Sequence, residues 1–231
     1  MKTSMKALTL VLCAVLLVCA SVMGTLAYLK FTTQTVKNTF TIGKVEIKLD
    51  ETDVDVYGKK DSDTRVLANE YKLLPGHTYT KDPMVTVLAN SEDSYIRMMV
   101  TINWKKDYTP AGDIAGKTAM EVLQTVFPEW TVDGVFLLEN LINGWNPTMW
   151  KYTSYSNGTY EFRYFETVNT LNGADKELKP LFTEIKMPGN LTNEQIALLN
   201  NMEIQVVAHA MQADGFADDN AAWAAFSTDV R

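Results

Sequence analysis

The sequence predicts an all-β domain, an antiparallel β-sandwich with small helical insertions, behind an N-terminal segment built for export. Three observations carry this. Segments that alternate polar and apolar residues outnumber those with helical spacing. Strand and helix do not alternate in the βαβ rhythm that marks parallel sheets. Lys2 and Lys6 lead into an apolar run, Ala7 to Met23, which passes within a few residues into Thr-rich alternating sequence.

The opening segment has the charged start and apolar middle of a secretory signal peptide. Small residues are needed at −1 and −3 of a cleavage site. Ala27 with Thr25 satisfies this and makes Tyr28 the first residue of the released chain; Ala20 with Val18 is a second possibility. Val18 before Cys19 is a poor lipidation signal. An uncleaved anchor is the competing reading, because about 17 apolar residues is near the lower limit for a membrane span.

Cleavage would leave roughly 200 residues, enough for one closed core. The chain is 46% hydrophobic and 21% charged, a globular composition. Taking Lys2 and Lys6 away moves the formal charge from −7 to −9. That balance argues against nucleic-acid binding and against docking on anionic lipid by charge. Both cysteines, Cys13 and Cys19, lie in the export segment, so the released domain has no disulfide, thiol nucleophile or Cys-bound metal.

From Tyr28 to Leu49 the alternation changes phase twice. Leu29 and Phe31 are odd, Val36, Phe40 and Ile42 even, and Val45, Ile47 and Leu49 odd again. A period-2 face cannot switch without a break, which predicts two strands, 28–34 and 36–49, the second interrupted near Gly43. Residues 50–64 read as a polar loop. Asp53-x-Asp55 within it lacks the Gly and closing Glu of an EF-hand, so solvated side chains are expected there. Leu73-Leu74-Pro75-Gly76 is a turn. Met84 to Leu88 and Ser94 to Ile102 are strands joined through Asn90-Ser91-Glu92-Asp93. A loop spans Asp107 to Gly116, and Ala119 to Phe127 is a short helix stopped by Pro128.

Asn157-Gly158 between Trp150–Tyr155 and Tyr160–Val168 is a hairpin signal. The aromatics around it, Trp145, Trp150, Tyr152, Tyr155, Tyr160, Phe162, Tyr164 and Phe165, suit cross-strand packing; a carbohydrate platform is the functional alternative. Leu178 to Ile185 reads as a short edge segment. Thr192 to Asn201 is a helix with a Thr192/Gln195 capping box. Met202 to Met211 is a strand, and Asn220 to Phe226 a terminal helix.

No catalytic signature appears: no HExxH, GxSxG, P-loop or GxGxxG. Of the two histidines, His77 follows a Pro-Gly turn and is expected to be exposed. His209 sits in a strand, where a packed neutral ring is the ordinary finding. No catalytic, cofactor or metal residue is assigned.

The order of parts resembles the TasA/camelysin (CalY) family of Gram-positive bacteria. It runs from a signal ending GTLAYL through VKNTFTIGKVEIKLDE, LLPGHTYTKDPMVTV and EDSYIRMMVTI to VVAHAMQADGF with an aromatic terminal helix. The resemblance spans nearly the whole chain, most specifically the first fifty residues and Leu74 to Ile102. It implies a jelly-roll sandwich, export through a dedicated signal peptidase, and assembly into extracellular biofilm-matrix fibres at the cell surface. It further implies three regions: a signal peptide (1–27), a mobile donor strand (28–35) carrying Leu29, Phe31, Thr33 and Thr35, and the sandwich domain (36–231). In such fibres the donor strand of one subunit completes the sheet of the next, a head-to-tail homopolymer that can engage accessory or anchoring matrix proteins. Camelysin members are also described as metallo-endopeptidases. That role would need an unusual site of His77, His209 and carboxylates. It stands as an alternative, as does a carbohydrate- or surface-binding adhesin using the aromatics from Trp145 to Phe165.

Overall fold

A computed structural model describes residues 2–28 and 43–226. The chain divides at residue 42 into two compact units. The first contains α1 (Lys2–Tyr28), on which the expected cleavage residues Ala27 and Tyr28 fall. Among the described residues no helix is long and apolar enough to cross a membrane. The donor-strand residues Leu29, Phe31, Thr33 and Thr35 lie outside the described residues.

The second unit is mostly β-strand in antiparallel sheets, with few and short helices. It runs through β1 (Ile47–Val54), β2 (Lys60–Val66), β3 (Thr78–Thr80), β4 (Met84–Val87) and β5 (Ser94–Trp104). Then come α2 (Ala119–Val126), β6 (Thr131–Val132), β7 (Val135–Phe136), β8 (Ile142–Asn143), β9 (Trp150–Ser156) and β10 (Thr159–Tyr164). The chain closes with β11 (Lys176–Glu177), β12 (Glu184–Lys186), α3 (Asn193–Leu198), β13 (Met202–Gln212) and α4 (Asp219–Ala225). Two four-stranded sheets have the orders β11-β4-β1-β2 and β13-β5-β10-β9; a three-stranded sheet, β3-β12-β8, and the β6–β7 ribbon complete the unit.

The predicted hairpin forms as β9 and β10, with Asn157 and Gly158 both at positive φ, the conformation that makes Asn-Gly favourable in a two-residue turn. Its aromatics pack inward. Trp150 is fully buried, and Tyr160 and Phe162 are nearly so. The Trp150 indole donates to the Lys179 carbonyl at 2.8 Å. Helix α2 begins at a capping box in which Thr118 and Glu121 satisfy each other's end groups, and α3 has the expected box of Thr192 and Gln195. One core draws on Val85 and Val87 of β4, Ile96, Met98, Val100 and Ile102 of β5, Val122, Leu123 and Val126 of α2, and Phe136, Leu181 and Phe182.

Three expectations are corrected. Residues 50–64 are not a loop: β1 runs to Val54 and pairs antiparallel with β2. Their charges concealed a strand because they are neutralised in pairs. Asp50 is buried and paired with Lys48 and Arg65, and Glu51 is buried against Lys81 at 2.6 Å. The register shifts between Thr52 and Val54, where the Asn69 amide stands in for a strand partner. Its Oδ1 accepts from the Val54 N–H and its Nδ2 donates to the Thr52 carbonyl. Of the strand expected over 36–49, residues 43–46 are irregular and 47–49 belong to β1, while 36–42 lie outside the described residues. Residues 178–185 contribute just the start of β12, because Leu178, Leu181 and Phe182 are buried in irregular backbone.

Candidate functional site

The four outer strands of the two larger sheets differ in how they are guarded. An unguarded edge is a template for another chain. β11 has two residues. β2, KDSDTRV, is charged along its length. β9 carries Lys151 and pairs through a register shift. β13 has 11 residues and pairs in unbroken register with β5, on one side only among the described residues.

The alternation of antiparallel pairing fixes what the free side of β13 offers. Lys105 donates its N–H to the Asn201 carbonyl, and Ala213 donates to that of Asp93, so the odd-numbered residues of β13 are bonded to β5. The N–H and C=O groups of Ile204, Val206, Ala208 and Ala210 therefore point away from the sheet. Among the described residues they meet no backbone partner.

The same even-numbered residues turn their side chains inward. Ile204, Val206, Ala208 and Ala210 pack against the core yet remain only half-buried, whereas Ile96, Met98, Val100 and Ile102 of adjoining β5 are at most 3% exposed. Among the described residues the core is thus incomplete beside β13. The gap is a groove of about 1310 Å³ whose far wall is Leu49 to Glu51 of β1 and the irregular segment 67–73; Leu123, Leu141 and Leu199 are among the apolar residues lining it.

Side chains hold that far wall in place of a ladder. Besides Asn69, Tyr71 donates to the Thr80 carbonyl at 2.9 Å. Tyr79 donates to the Lys72 carbonyl and accepts from the Leu74 N–H, both at 2.7 Å. Burial, then the nearby Glu51 charge, pushes the Tyr71 phenol well above its ordinary range, so it stays a neutral donor. At the rim, Leu67 is 86% exposed, and Lys105 meets Glu70 at 3.3 Å. Chemically the groove offers a row of unpaired backbone groups above an apolar floor, which suits an extended peptide with alternating apolar side chains.

The histidines do not come together. His77, expected to be exposed, is half-buried: its Nε2 lies 2.7 Å from the Tyr57 carbonyl and its ring stands edge-on to Tyr79. His209 lies on the outer face of β13 and accepts at Nδ1 from Arg97 Nε. Among the described residues no group of three or more His, Cys, Asp or Glu is placed to hold a metal ion. Asp53 accepts from Ser62, and Asp55 accepts from the Tyr57 and Lys59 N–H groups, so both carboxylates organise the β1–β2 turn. The candidate aromatic platform is taken apart: Trp150 is inside, and the half-buried Trp145 spends its indole N–H on the Trp150 carbonyl.

Sequence reasoning found β13 as a strand but not as a free edge, and it missed Asn69, Tyr71 and Lys81. No family model matches the chain, and no match was found among curated proteins or solved structures.

Proposed function

We propose that this protein is a secreted structural subunit that assembles head to tail into extracellular matrix fibres, each copy donating residues 28–35 to the free edge of β13 in the next. On this reading the domain is a jelly-roll whose last strand comes from a neighbour, and α1 is a signal peptide removed at Ala27–Tyr28. The observation that carries it is the combination at β13 among the described residues: 11 residues paired on one side, above a groove lined by half-buried apolar side chains. An incoming strand would satisfy the edge and fill the groove at once. Leu29 and Phe31 share one face of an extended segment and are the groove-filling candidates, with Thr33 and Thr35 extending the ladder. A contact between unlike surfaces that does not close on itself propagates as a filament.

Removing Tyr28 to Thr35 from the released protein tests this. Electron microscopy should then show no filaments, with the domain still folded by circular dichroism. Filaments unchanged by the deletion would refute donor-strand assembly.

A further inference from the structure

The opposite face of the β13–β5 ladder carries a cluster that the assembly reading does not use. Arg97 of β5, Glu161 and Arg163 of β10 and His209 of β13 project there, covered by α4. The Arg97 guanidinium lies under two rings of the C-terminal segment, 4.3 Å from the centre of Trp223 and 4.8 Å from that of Phe226. Arg97 Nε donates to His209 Nδ1 at 3.1 Å, and the imidazole lies 4.8 Å from the Phe226 ring. Arg163 donates to Asp219 Oδ2 at 3.0 Å and to Asn220 Oδ1 at 2.7 Å, tying down the start of the helix. Glu161 accepts from both Arg97 and Arg163.

Two features make this arrangement conditional. The first is charge. Among the described residues Arg97 and Arg163 are matched by Glu161 and Asp219. Lys151, opposite Arg163 in the register, is exposed and adds no anion. Among the described residues a proton on His209 meets no hydrogen-bonded carboxylate; its ring bonds Arg97. The second is direction. His209 Nδ1 is an acceptor here, and protonation turns it into an N–H aimed at the Arg97 N–H. Trp223 adds to the tension, because its indole N–H is buried with no hydrogen-bond partner among the described residues.

We propose that His209 and Arg97 form a proton-operated latch: with His209 neutral they hold α4 on the outer face of β5 and β13, and with His209 protonated α4 comes away. The imidazole is held below its ordinary range, by burial first and the Arg97 charge second, against the opposing pull of Glu161. The docked state thus binds the proton more weakly than the undocked one. Docking is complete above the free imidazole value of about 6.5 and is lost as pH falls from there toward the lowered value. The latch is independent of the donor-strand reading, since it uses side chains at odd positions of β13 rather than its free edge.

Hydrogen exchange of the whole folded protein tests it, comparing residues 219–226 at about pH 7.5 and about pH 5.5 after correction for intrinsic rates. The expected result is a severalfold loss of protection in that segment at the lower pH, bounded at about tenfold by the free imidazole value, with β5 unchanged. His209→Gln keeps an acceptor for Arg97 but cannot titrate, and should abolish the pH dependence. The same loss in His209→Gln, or no loss in the wild type, overturns the latch. Should His209→Gln not fold, an NMR titration of the wild type decides. The Trp223 indole N–H signal should move with the His209 ring, at a pH below the free imidazole value. A ring that titrates at or above that value, or an indole signal that ignores it, refutes the proposal.

Discussion

Val206 and Val207 are neighbours on β13 with opposite expected roles. Val206 turns its side chain toward the core side and presents its N–H and C=O at the free edge; Val207 borders the groove through its backbone, turns its side chain outward, is 50% exposed, and is bonded to β5. Val206→Lys leaves the free domain nearly intact. The groove is open and the ammonium can reach water along its own stem, so the cost to folding is about 1 kcal/mol or less. Covering that ammonium with an apolar strand is different. Burying an uncompensated charge in an interface costs about 3 kcal/mol after relaxation, which is roughly a hundredfold in dissociation constant. Val207→Lys should change binding by less than about twofold. The assay is fluorescence anisotropy of a labelled peptide of residues 28–35, titrated into protein lacking those residues, with urea unfolding of each variant as the stability control. Binding unaffected by Val206→Lys, or equally weakened by Val207→Lys, would refute the assignment of the groove face.

Two further outcomes concern the domain itself. Burial opposes ionisation of Asp50, but hydrogen bonds and charge from Lys48 and Arg65 outweigh it and hold the carboxyl below the usual range. The associated stability is full above the free carboxyl value of about 3.9 and is lost as pH falls through the folded value. Asp50→Asn should therefore cost about 2 kcal/mol in urea unfolding near neutral pH, with the difference from wild type shrinking in acid. A pH-independent difference would show that the charge is not the cause. Thr118→Ala removes the capping box of α2 and should cost about 1 kcal/mol; no change in unfolding midpoint would mean that the core contacts of α2 alone fix its start.

Local signals were legible where the chain's own chemistry decides the outcome. Asn157-Gly158 requires a conformation that few residue pairs accept, and Thr192 with Gln195 closes a helix start within four residues. Both are legible in the chain itself. The β1–β2 hairpin is not, because Asp50 and Glu51 look like loop residues until Arg65 and Lys81 are placed against them. Partners 15 and 30 residues away in the chain leave no local trace. The candidate site was hidden for a related reason. MEIQVVAHAM reads as a strand whether it lies at the edge or the centre of a sheet, and edge status belongs to the topology. The far wall of the groove depends on Asn69, Tyr71 and Tyr79 bonding to backbone of other segments, which no periodicity announces.

The central claim is that residues 28–35 of one copy lie along the free edge of β13 in another. The chain's two cysteines, Cys13 and Cys19, both precede Tyr28, so protein beginning at Tyr28 can carry single cysteines at chosen positions. Side chains directly opposite on neighbouring strands lie about 4.5–5.5 Å apart, within reach of a disulfide. One copy with Phe31→Cys, mixed under mild oxidation with copies carrying Cys in place of Ile204, Val206 or Ala208, should give a crosslinked dimer at one of these positions. Val207→Cys should give none. Crosslinking at Val207 as strong as at its neighbours, or at no position along the edge, would contradict the account.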